Sequence, residues 1–195
     1  MKFTTATLAA ATAAIVSAYP SGTASNDTQI AVGDVFRLMT IRSASDLQYG
    51  SVQASNGGLL VNQPDQGASC DETVNYASFR LTEAGDLYLN TANPPQQIFV
   101  DRSGMGQGVI QFTTGVQGIG RNQERGPFAI QDGNLVFAQH NNLPPTGFQA
   151  CPGAKNGGYS LWLSGAENPG GNSGCLGVLV KAVKEDKPIS CAYTS

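Results

Sequence analysis

The chain has 195 residues, a formal charge of −3, 13% charged residues and 24 glycines. That length fits one domain with a sizeable hydrophobic core. A mildly acidic chain with scattered bases has no electrostatic footprint for nucleic acid or an anionic membrane, so neither is expected as a partner.

Residues 1–18 read as a secretory signal: Lys2, then small and apolar residues, then Val16-Ser17-Ala18 before Tyr19. No later segment approaches the ~18 uncharged apolar residues of a membrane helix. The end, "KEDKPISCAYTS", lacks the apolar tail of a lipid-anchor signal. Residues 19–30 are small and polar, and are expected to be flexible. They hold the sequon Asn26-Asp27-Thr28, a candidate N-glycan site.

From Ala31 to Ser195 the pattern is short strands between turn clusters. Strands are expected at 34–43, 59–63, 77–83, 86–91, 97–101, 109–114, 127–132, 134–139, 159–164 and 176–183. Phe79 and Leu81 alternate with polar residues, as do Leu87 and Leu89, Phe128 and Ile130, and Leu135 and Phe137. Ala84-Gly85-Asp86 and Asp132-Gly133-Asn134 supply tight hairpin turns. No apolar stripe holds helical spacing for three turns, so the class is all-β. Phe-led stretches starting at Phe36, Phe79 and Phe128 recur at about 45 residues, which suits a closed, β-trefoil-like barrel built of three units. A Greek-key β-sandwich is the alternative.

Four cysteines in an exported chain, Cys70, Cys151, Cys175 and Cys191, imply two disulfides. Three pairings are possible. The expectation is Cys175–Cys191, closing a short loop, with Cys70–Cys151. No C-x-x-C pair occurs and His140 is the one histidine, so no metal site is expected.

"VDRSGMGQGV" places Asp101, Arg102 and Ser103 before Gly104, Gly106 and Gly108. A phosphate cradle needs a helix after the glycines, and Val109–Thr114 alternates like a strand. Two readings remain for these six residues: bracing of the loop, or a surface ligand site. "GGNSGC" places Ser173 in a protease-like context, but no positioned base accompanies it, and His140 lacks a catalytic context. A glycosidase pair would need two acids about 5–10 Å apart, which spacing cannot reveal. Sugar binding without chemistry is open to Trp162 and Tyr159 as stacking platforms, with Tyr88 and Tyr49 further candidates. A core role for Trp162 is the competing reading.

"PQQIFVDRSGMGQGVIQFTTG", "ASCDE", "FQACP", "GGYSLWLSGAENPGGNSGCLGV" and "ISCAYT" together resemble the fungal PhiA-type cell wall proteins. The likeness runs over nearly all of the chain from Ala31. A fainter one joins "GPFAIQDGNLVF", "FQACPG" and "GGYSLWL" to the C-terminal domain of PIR cell wall mannoproteins. The resemblance implies a secreted, wall-associated, non-enzymatic protein linked to phialide and conidium formation, with members known as antigens. It implies no catalytic residue and no cofactor, and carries over Cys70, Cys151, Cys175 and Cys191. PIR proteins attach to β-glucan through glutamines in Asp-Gly-Gln-x-Gln repeats. No such repeat occurs here, so that linkage is not expected. The partner expected is wall polysaccharide, β-glucan or chitin, met by a monomer.

Overall fold

The computed structural model describes residues 29–139 and 143–195. In chain order the strands are β1 Val35–Ile41, β2 Gly50–Ser55, β3 Gly58–Val61, β4 Ser69–Cys70, β5 Ser78–Leu81, β6 Leu87–Leu89, β7 Gln96–Asp101 and β8 Val109–Thr114. They continue as β9 Gln123–Glu124, β10 Phe128–Gln131, β11 Asn134–Phe137, β12 Phe148–Pro152, β13 Tyr159–Leu163, β14 Leu176–Lys184 and β15 Cys191–Ala192. The one helical element among the described residues is a 3-10 turn, Pro169–Gly171.

Alternation builds the barrel wall. In β14, Val178, Val180 and Ala182 are buried while Gly177, Leu179 and Lys181 face out. In β1, Phe36, Leu38 and Thr40 point inward and Arg37 outward. The strands at 50–55 and 148–152 were not expected. Both are buried at nearly every position, so they show no alternation to read. The interior is one cluster that includes Phe36, Leu38, Phe79, Leu87, Phe128, Leu135, Phe137 and Val180. Each such side chain contributes roughly 1.5–3 kcal/mol on burial.

Antiparallel ladders run round a closed circuit, β1-β5-β6-β7-β8-β3-β13-β12-β14 and back to β1. The barrel is trefoil-like. Phe36 opposes Phe79 between β1 and β5 as Leu135 opposes Val180 between β11 and β14. The equivalent seam between the second and third units is closed by Phe128 N–H donating to Gly85 O at 2.7 Å. The hairpins β2–β3, β7–β8 and β12–β13 meet one another through Gly58 with Gln111, Val109 with Trp162, and Val61 with Tyr159. Each second strand of these hairpins follows a glycine with positive φ: Gly57, Gly108 and Gly158.

The internal repeat needs one correction. The stretches at Phe79 and Phe128 are equivalent hairpins, β5–β6 and β10–β11. The stretch at Phe36 is offset by one strand, because β1 takes the place of β6 and β11 and pairs instead with β14. This third seam joins the two ends of the domain. Lys184 Nζ lies 2.9 Å from Asp34 Oδ2 there, and Glu185 N–H donates to Val35 O at 2.9 Å.

Beyond β14 the chain runs through the exposed residues 186–188 and then buries alternate residues of its tail against the barrel. Ile189, Cys191 and Tyr193 belong to the core cluster. Polar side chains hold its backbone: Asn90 Nδ2 donates to Ile189 O at 2.7 Å. Gln96 both donates to Tyr193 O at 2.9 Å and accepts from Tyr193 N–H at 3.1 Å.

Candidate functional site

The loop from Asp101 to Gly108 is tied together from inside. Asp101 Oδ1 accepts the Ser103 N–H at 2.9 Å and Oδ2 accepts Gln123 Nε2 at 3.0 Å. The Ser103 side chain, then the Gln123 amide and the Ser103 backbone, hold the Asp101 carboxyl below the usual range. Ser103 Oγ accepts the Gly106 N–H at 2.9 Å, and Gly108 N–H donates to Asp101 O at 2.7 Å. Gly106 is buried against the aspartate. Gly108 has φ +92° and would place a Cβ 3.0 Å from Leu163 O. Gly104 is exposed with open space around it. Arg102 does not pair with Asp101. It reaches Glu124 at 3.5 Å and lies 5.8 Å from the centroid of the Phe137 ring.

Trp162 is corrected as a sugar platform. It is 9% exposed. Its Nε1–H donates to Ser160 Oγ at 2.8 Å. The Pro169–Gly171 turn lies over its edge so closely that a Cβ on Gly170 would come 2.8 Å from the indole. The turn is in turn tied to the glycine loop, since Gly170 N–H donates to Gln107 Oε1 at 2.7 Å. Tyr159 is half-buried, with its hydroxyl on both oxygens of Asp46 at 2.8 and 2.7 Å. That bond is the chief reason its phenol titrates above the ordinary value. Tyr88 is half-buried and Tyr49 is exposed.

The expected disulfide pairing is overturned. The bridges are Cys70–Cys191 and Cys151–Cys175. Cys70 and Cys191 face each other across the β4–β15 ladder. Cys151 on β12 lies opposite Cys175 because Ala150 pairs with Leu176. Strand register decides both bridges, whereas Cys175 and Cys191 are separated by the length of β14.

Ser173 is exposed in its loop. His140, Asn26 and the proposed signal lie outside the described residues. Several carboxylates have structural partners: Asp34 with Ala31 N–H and Lys184, Asp46 with Tyr159, Glu124 with Arg102, and Glu185 with Ser78 Oγ at 3.0 Å.

A concave site that spacing does not reveal lies beside the tail. It is a cleft of about 380 Å³ lined by Gln63, Asp65, Gln66, Asn56, Asn156 and Thr194, among others. Gln63 and Gln66 are 2% and 1% exposed, and both leave Oε1 without a hydrogen-bond partner. The glutamines in "NQPDQG" carry no sequence signature of such a role; it shows only in their burial in the folded chain.

The chain is thus a disulfide-bonded, trefoil-like β barrel with polar loops. The PhiA-like secreted protein family matches residues 36–194, and the chain belongs to it. The chain is 38% identical over 187 residues to "Cell wall protein phiA" of Emericella nidulans, covering 94% of this chain and 97% of that protein. The protein of the same name in Aspergillus fumigatus is 38% identical over 82% of this chain and 84% of its own. That of Aspergillus niger is 34% identical over 86% and 90%. No solved structure matches. The protein is secreted and located in the cell wall.

Proposed function

We propose that the protein is a non-enzymatic, structural and binding component of the fungal wall, held there by association with β-glucan or chitin and acting in phialide and conidium development. The observation that carries this reading is the match, over nearly the whole chain, to proteins named for the cell wall. The geometry agrees with it. The glycine loop spends its carboxylate and hydroxyl on its own backbone and on the Gln123 amide, so its role is to hold two hairpins rigid. The paired carboxylates serve turns, strand ends and ion pairs rather than a shared reacting atom. The chain is low in charge, and its exposed loop residues include amides and hydroxyls such as Asn56, Asn156, Ser173 and Thr194, a chemistry suited to neutral polysaccharide.

Sequential extraction of isolated walls with detergent, reductant and alkali tests the reading. The protein is expected in washed walls and in the detergent extract. Recovery of all of it from the medium, with none in washed walls, contradicts the proposal.

A further inference from the structure

We propose that the cleft beside the C-terminal tail is a saccharide site, binding the hydroxyls of a neutral glycan. The inference rests on the wall-binding reading and names where that binding occurs. Buried polar groups nearly always find partners, and an unpartnered one costs about 1–3 kcal/mol. Here Gln63 and Gln66 each leave a buried carbonyl oxygen unpartnered, and both line the same cleft.

The orientation of Gln66 is fixed. Its Nε2 donates to Val74 O and to Tyr76 O, both at 3.1 Å, so turning the amide over would set Oε1 against two carbonyls. Gln63 is anchored through its backbone, whose N–H and C=O are both taken by the Gln53 side chain at 2.7 and 2.6 Å. Gln66 therefore holds one unpartnered oxygen at a fixed position, and Gln63 carries a second on an anchored backbone. Around them stand Asp65, which uses Oδ1 for Gly67 N–H, the exposed amides of Asn56 and Asn156, and the Thr194 hydroxyl.

A sugar hydroxyl both donates and accepts, which suits buried acceptors bordered by amides and a hydroxyl. The bordering amides and hydroxyl are open to it directly, while the two oxygens, sealed from solvent in the free protein, gain a partner when a hydroxyl or an ordered water enters behind that rim. A hard cation fits the set less well: it calls for six to eight oxygens, usually with several carboxylates. This cleft offers one carboxylate, and its amide N–H groups repel a cation. The volume, about 380 Å³, lies within the range of small-ligand sites.

The test is an amide-resolved NMR titration of the secreted protein with soluble β-1,3-gluco-oligosaccharides and with chito-oligosaccharides. Shifts are expected at residues 62, 63, 65–67, 156 and 194. Two variants sharpen it. Gln63→Met removes an acceptor while keeping side-chain length. Asn156→Gly keeps the positive φ of that turn (70°) and removes the amide. Each is expected to weaken binding roughly five- to tenfold. Gln63→Met should melt no lower than the parent, since it deletes an unpartnered oxygen. Absence of shifts at those residues, unchanged affinity of both variants, or the same shifts with calcium alone overturns the site. Retention of the parent and both variants alike on insoluble glucan or chitin leaves the wall reading standing and removes the cleft from it. Should the parent not be retained, the wall reading fails and the soluble titration still decides the cleft.

Discussion

Gly106 lies so close to Asp101 that a Cβ on the glycine would sit 2.2 Å from the carboxylate carbon. The aspartate can cap the loop only because residue 106 has no side chain. Gly106→Ala is therefore expected to displace the carboxylate from Ser103 and Gln123 and to cost about 1–3 kcal/mol. Gly104→Ala, in open space, should change stability by less than about 0.5 kcal/mol. Paired thermal melts check the contrast; equal effects of the two substitutions contradict the bracing geometry.

The two disulfides should differ in worth. Cys70–Cys191 spans 121 residues and Cys151–Cys175 spans 24. Loop-closure entropy predicts about 5 kcal/mol lost on replacing the first pair by serine and about 3.5 kcal/mol for the second. Loss of the first also frees the tail that buries Ile189 and Tyr193. Peptide mapping without reduction should recover Cys70 joined to Cys191, and denaturant titration of the two double-serine variants gives their order.

These bridges show where the sequence could be read and where it could not. The β5–β6 and β10–β11 hairpins were legible because their turns are contiguous. Asp132 and Gly133 both have positive φ, at 50° and 76°, as a tight turn between alternating strands requires. The third seam was not legible, because β1 and β14 come from opposite ends of the chain. Cys191 reaches Cys70 through two-residue strands too short to show a pattern. The competing core reading of Trp162 matches its burial. The cleft escaped notice because the role of Gln63 and Gln66 comes from burial without a partner, which spacing does not encode.

Glu185 gives a pH signature. Burial raises its carboxyl above the ordinary value of 4.5, against the opposing pull of Ser78, the Ile189 N–H and Arg37. Tyr193, pushed up to about 12 chiefly by burial, and Tyr76 lie in the same cluster, and both stay neutral across the acidic and neutral range. The folded state thus holds the Glu185 proton more tightly than the unfolded chain. Its contribution to stability is greatest below pH 4.5 and declines as pH rises through the folded value. Glu185→Gln should remove that decline. The variant's stability relative to the parent should rise between about pH 4.5 and 7, by less than about 1 kcal/mol because the group is half-exposed. A difference independent of pH contradicts the assignment.

We propose that this barrel holds to wall polysaccharide without chemistry. Co-sedimentation of the purified protein with insoluble β-glucan and with chitin tests it most directly. Retention on at least one, with no soluble sugar released, is the result predicted. Failure to sediment with either, or release of soluble sugar from the polymer, contradicts it.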